Sequence, residues 1–128
     1  MRYLGVDYGS KRVGIAVSDA EGKIAFPRAE FSNDDTLLSS IAKIAAQEGV
    51  GKIVVGDTRA FGGGENIITP QVEEFRAQLE KATGIECKFA FEAGSSVEAS
   101  RYAPEGSEHS NDAAAAFILQ RYLDFRKQ

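Results

Sequence analysis

The sequence predicts an α/β fold: one mixed five-stranded sheet, an antiparallel meander plus parallel strands, with helices on both faces. Three observations carry this expectation. Short apolar runs fill the first third, separated only by turn-length gaps. Beyond Phe31 the apolar spacing changes from two residues to about 3.6. From there helical and strand-like segments alternate, the pattern of crossover units on a parallel sheet.

The first run, Arg2 to Val6, enters Asp7. In the second, Val13, Ile15 and Val17 alternate with small residues up to Asp19, and Gly14 and Ala16 imply close packing over their face. The third, Ile24 to Phe31, follows the Glu21-Gly22 turn, and gaps this short favour antiparallel pairing. Leu37, Leu38, Ile41, Ile44 and Ala45 then recur at helical spacing, after the capping candidates Asn33 and Asp34 and before Gly49. Lys52 to Gly56 reads as a buried strand, and the loop after it holds Gly62, Gly63 and Gly64. Thr69 and Pro70 offer an oxygen-bearing cap and a first-turn proline. Val72, Phe75, Leu79 and Ala82 are expected to face the core until Gly84 stops that helix. Ile85 to Phe91 is expected as the last strand, ending at Glu92. A short helix is expected near Ser95 or Ser96. A final helix over Ala113 to Arg126 turns Ala115, Ile118, Leu119 and Tyr122 inward.

The 128 residues are expected to form a single domain, since two ordinary lobes need more chain. One cysteine, Cys87, excludes an internal disulfide framework and a Cys-x-x-Cys zinc site. No stretch approaches the about 20 apolar residues of a membrane helix, and no signal-peptide pattern opens the chain. A cytoplasmic protein without a membrane partner is expected. The net charge of −4 argues against coating nucleic acid by bulk electrostatics. It leaves room for a nuclease, because metal ions neutralise carboxylates and a local basic patch can hold phosphates.

Three acids stand where chemistry would want them. Asp7 ends the first strand, Glu92 the last, and Asp112 starts the final helix. In open α/β sheets the functional crevice lies beyond the carboxyl ends of the strands. Three converging carboxylates would repel one another unless cations are present. Mg²⁺ suits such a cluster, and two ions can activate water and stabilise a leaving oxygen in phosphodiester hydrolysis. The plainer alternative is a turn aspartate and a helix cap.

Two stretches go further. "YLGVDYGSKRVGIAVSD" (residues 3–19) together with "DAAAAFILQRYLD" (residues 112–124) resembles the YqgF/RuvX family. These are pre-16S rRNA nucleases with a Holliday-junction-resolvase-like, RNase H-like fold. The middle of the chain fits in pattern, through "KIVVG", the glycine-rich loop and "GIECKFAFE". The resemblance implies a single RNase H-like nuclease domain over 1–128. It implies Asp7, Glu92 and Asp112 as catalytic metal ligands for Mg²⁺ or Mn²⁺, with Lys11, Arg12, Ser95 and Ser96 near a substrate phosphate. Its implied substrate is pre-16S rRNA, in reach of the small ribosomal subunit precursor. A DNA junction is the chemically equivalent alternative. The protein is expected to act as a monomer or homodimer.

The chain also departs from the family pattern. At the end of the last strand it has Phe91-Glu92-Ala93, where an acid and an arginine often flank the glutamate. Gly56-Asp57-Thr58 replaces the common Gly-Leu-Pro. The usual aspartate register falls on Asn111, which is about 100° around a helix from Asp112. Asp112 is therefore expected to reach the site only if the helix start is adjusted. Arg59 is a candidate for the missing positive charge, and His109 for a proton shuttle. Lys11 and Arg12 also fit a solvated hairpin turn, Ser95 and Ser96 a helix cap, and Gly62 to Gly64 a plain loop. Two rivals stand beside the nuclease. Asp7-Tyr8-Gly9-Ser10-Lys11-Arg12 nearly fits the phosphate loop of actin-like kinases, which need a second lobe. An RNA-binding module that has lost cleavage is the other.

Overall fold

A computed structural model of the chain describes residues 1–56, 70–90 and 111–126, with backbone alone for Asn111 and Arg126. The strands are β1 (Arg2–Asp7), β2 (Arg12–Ser18), β3 (Ala25–Ser32), β4 (Val50–Gly56) and β5 (Cys87–Phe89). The helices are α1 (Leu37–Glu48), α2 (Pro70–Thr83) and α3 (Asn111–Arg126). The strands form one sheet in the order β3-β2-β1-β4-β5. β1, β2 and β3 pair antiparallel, whereas β4 runs parallel to both β1 and β5. The meander and parallel strands follow the apolar periods of the sequence.

Strand alternation sends Leu4 and Val6 to one face and Tyr3, Gly5 and Asp7 to the other. On the first face, α1 and α2 bury Leu37, Ile41, Ile44, Val72, Phe75 and Leu79 against Val13, Ile15, Ile53 and Val55. On the second, α3 buries Ala115, Ile118, Leu119, Tyr122 and Leu123 over Tyr3, Ala16 and Val54. This second interface is tight because the sheet there is nearly bare. A Cβ added at Gly5 would lie 2.7 Å from Leu119 Cβ and 3.1 Å from the Ala115 carbonyl oxygen. One added at Gly56 would lie 2.9 Å from Ile118 Cγ2. The close packing expected above Ala16 is therefore α3 itself.

Several boundaries differ from expectation for identifiable reasons. Neither Asn33 nor Asp34 caps α1, whose N-cap is Thr36 without a side-chain cap bond. Asp34 Oδ1 instead accepts from the Thr36 N–H (2.9 Å) and hydroxyl (2.6 Å), shaping the turn before the helix. Asn33 Nδ2 donates to the Gly9 carbonyl at 2.8 Å and ties the two turns together. Ala82 is exposed, since Val72, Phe75 and Leu79 already complete the apolar stripe of α2. β5 is shorter than the expected Ile85 to Phe91 run among the described residues. At Cys87, α2 side chains take the backbone groups: Arg76 donates to the carbonyl and Glu80 accepts from the N–H, each at 3.0 Å. α3 begins at Asn111, two residues before the expected Ala113. Among the described residues, no helix is long and apolar enough to cross a membrane.

Gly5→Ala tests how closely α3 approaches the sheet. The added methyl should cost about 1–3 kcal/mol of stability, as overpacking does in a filled core. Urea unfolding followed by circular dichroism would show it as a lowered midpoint.

Candidate active site

Asp7 is one of two buried polar or charged residues among those described, with 4% of its surface exposed. It ends β1, directly opposite Gly14 on β2 and Gly56 on β4. Gly14 in turn faces Glu30 on β3. Residues in such a cross-strand row share a face of the sheet. The row Glu30-Gly14-Asp7-Gly56 thus places two acids on the α3 side, with no side chain on either strand flanking Asp7. The Tyr8 N–H donates to the Gly56 carbonyl at 2.8 Å, so the ladder continues past Asp7 and fixes the strand end.

The direction of α3 follows from its contacts. The Tyr122 ring lies 6.2 Å from that of Tyr3, and Leu119 and Ala115 lie against Gly5. Moving along β1 toward Asp7 therefore means moving toward the start of α3. Asp112, in the first turn, belongs to the same end and the same face of the sheet as Asp7. At about 100° per residue, the mean direction of the five buried α3 residues falls roughly midway between positions 111 and 112. Positions 111 and 112 thus stand about equally far from the centre of the buried face. Asp112 Oδ1 accepts from the Ala113 N–H at 2.9 Å, but it stands inside the first turn of α3 and is not its N-cap.

The Lys11-Arg12 turn lies at this end of the sheet too. Arg12 pairs with Glu30 of β3: its Nη1 lies 3.0 Å from Glu30 Oε1, with 60% of the arginine side chain exposed. The Asn33 N–H donates to the Lys11 carbonyl at 2.9 Å and holds the turn against the exit of β3. Glu30 is the site neighbour that sequence reasoning missed. Only the strand register reveals it, since no motif surrounds it. Glu92, Ser95, Ser96, Arg59, His109 and Gly62 to Gly64 lie outside the described residues.

Other parts of the two recognisable stretches serve the scaffold. Ser18 stands beside Tyr3 at the opposite end of β1, where its Oγ accepts the Tyr3 N–H and donates to the Asp19 carbonyl, both at 2.8 Å. Asp19 Oδ1 accepts the N–H groups of Lys23 (2.7 Å) and Ile24 (3.1 Å). These bonds hold its carboxyl below the ordinary value, with Ile24 contributing most. Gln120 of α3 accepts the Ala25 N–H and donates to the Lys23 carbonyl, each at 2.9 Å. Burial pushes the Cys87 thiol up to about 12, helped by the Glu80 carboxylate, so it stays an unreactive thiol.

Hard carboxylate oxygens suit Mg²⁺ or Mn²⁺. The donor chemistry of Asp7 and Asp112 thus fits a divalent cation. Among the described residues no group of three or more His, Cys, Asp or Glu is poised to hold one.

The family model described as RuvX, Holliday junction resolvase, matches residues 1–125. A protein of Oleidesulfovibrio alaskensis is 35% identical over 97% of this chain and 92% of its own length. One of Agathobacter rectalis is 35% identical over 98% of this chain and 96% of its own. Both are provisionally named pre-16S rRNA nucleases. Among solved structures, Thermus thermophilus RuvC in complex with a Holliday junction substrate superposes with a TM-score of 0.58 at 11% identity. It covers 99% of this chain and 94% of that one. The fold is RNase H-like.

The Asp19 turn has a pH signature. Its depressed folded pKa means that its stabilisation is complete above the ordinary value of 3.8 and is lost as pH falls through the folded pKa. Asp19→Ala should therefore be less stable than the parent at neutral pH, and the gap should close in acid. Urea midpoints measured across that range would check it.

Proposed function

The chain belongs to the RuvX family and is a nuclease, and we propose that its substrate is precursor 16S ribosomal RNA. Residues 1–128 act as one catalytic domain in the cytoplasm, trimming the 5′ side of the precursor on or near the small ribosomal subunit precursor. The observation that carries the site is the buried carboxylate of Asp7 at the sheet end where α3 begins.

Asp7, Glu92 and Asp112 would hold Mg²⁺ or Mn²⁺. When bound, such a cation supplies Lewis-acid charge to a phosphate oxygen and eases the deprotonation of water. Asp7 is the anchor, because its burial and the Tyr8–Gly56 bond leave the carboxylate little freedom. Asp112 contributes through its second oxygen, the first being taken by the Ala113 N–H. The start of α3 turns the positive end of its dipole toward the same region, favourable for an anionic substrate. Arg12 meets a phosphate by exchanging Glu30 for it, a small cost for an exposed pair. Lys11, Ser95 and Ser96 are further phosphate contacts.

The family description favours one alternative, cleavage of a DNA junction by the same chemistry. Cutting two strands symmetrically would need a homodimer, whereas trimming an RNA end needs one copy.

Incubation with a 5′-extended 16S precursor fragment and with a DNA junction separates these readings. Cleavage of the RNA is expected with Mg²⁺ or Mn²⁺ and not with EDTA. Asp7→Asn should slow it roughly 10²-fold or more, the scale of losing one charge-stabilising group, with the circular dichroism spectrum unchanged. RNA binding without cleavage under either metal would favour the RNA-binding module. Full activity of Asp7→Asn would remove Asp7 from the mechanism.

A further inference from the structure

A cleft of about 460 Å³ opens on the other face of the sheet, between the starts of α1 and α2. Its wall is apolar: Tyr8 and Phe75 pack with ring centroids 4.6 Å apart at 39°, beside Leu37 and Leu38. Its rim carries Asp34, Asp35 and Glu74, and among the described residues no lysine, arginine or histidine lines it. Asp34 is accounted for by the turn it builds with Thr36, whose two hydrogen bonds hold its carboxyl below the ordinary value. Asp35 has no such duty, and Glu74 only accepts from the neighbouring Gln78 amide at 3.2 Å.

The chemistry of this cleft is opposite to that of the nuclease site. Three carboxylates on one rim repel a phosphate backbone, so a nucleic acid strand is a poor occupant. Aromatic faces beside carboxylates favour a cation on an apolar stem. A planar guanidinium fits better than an ammonium, because it can stack on a ring and pair with a carboxylate at once. The half-buried Leu38 offers contact for an aliphatic stem and its neighbours, which a fully charged polyamine cannot use. We propose that this cleft takes an arginine side chain of a basic protein segment, stacked on the half-buried Tyr8 ring that Phe75 backs, and facing Asp35 and Glu74. The segment would touch Tyr8, the residue after Asp7, and so bring its protein beside the nuclease site without competing for phosphate. The proposal stands apart from the nuclease reading, because binding is measured without RNA or metal.

The test is a titration of the full chain, labelled with nitrogen-15, with a short capped peptide carrying two arginines around a leucine. The amide signals of Tyr8, Leu38 and Gln71 should shift together and saturate. Asp35→Asn and Glu74→Gln should each weaken binding roughly threefold or more, and the lysine version of the peptide should bind more weakly. Both positions are polar rim residues, and the spectra of the variants report directly that they remain folded. Absence of shifts at millimolar peptide would overturn the proposal, as would affinity unchanged in both variants. Equal binding of the lysine peptide or of spermidine would overturn arginine selectivity, and equal shifts with a single-stranded RNA would reassign the cleft to nucleic acid.

Discussion

Helix α3 lies on a patch of sheet that has almost no side chains, and the placement of the acidic residues depends on that contact. Gly5, Gly56 and Ala16 let Leu119, Ile118 and the Ala115 backbone approach the strands closely. A larger residue at Gly5 or Gly56 would lift the helix, and its first turn would move with it. Gln120 fixes the other coordinate, bonding both Lys23 and Ala25 at the far end of the sheet. The helix is thus set in height by the glycines and along its axis by the glutamine. The glutamine acts at the far end of the sheet, whereas Gly56 stands directly opposite Asp7.

The two recognisable stretches of sequence divide their labour accordingly. Asp7 and Asp112 stand at one end of the sheet, while Ser18, Asp19, Gln120 and Tyr122 serve the packing and turns toward the other. A residue pattern shared with nucleases therefore does not mark every member as chemical. Asp19 is as prominent in the sequence as Asp7, yet its carboxylate is committed to the Lys23 and Ile24 amides. The same division separates the faces: the α3 side combines acids with the Lys11-Arg12 turn, whereas the charged residues described around the cleft on the α1 and α2 side are all acids.

Much of this was legible because simple periods generate it. Alternation in β2 and the i, i+3, i+4 spacing of Ile118, Leu119, Tyr122 and Leu123 identify buried faces without reference to anything distant. Asp7 was legible as a charge ending an apolar strand. Glu30 was not, because its place depends on pairing between β2 and β3, which shifts register between Ile15 and Ala16. The buried face of α3 leaves positions 111 and 112 about equally placed toward the sheet, which a count from the family motif alone does not show. β5 ran shorter than its apolar residues suggested, and on its outer edge side chains from α2 take the backbone groups of Cys87.

The central claim, that a divalent cation belongs between β1 and the start of α3, is tested most directly by paramagnetic broadening. Substoichiometric Mn²⁺ added to the nitrogen-15-labelled chain should erase the amide signals of Asp7, Tyr8, Asp112 and Ala113 together. Those of Ser18, Asp19 and Lys23 should remain sharp. Broadening centred instead on Asp34 and Asp35, or on the Asp19 turn, would contradict the account.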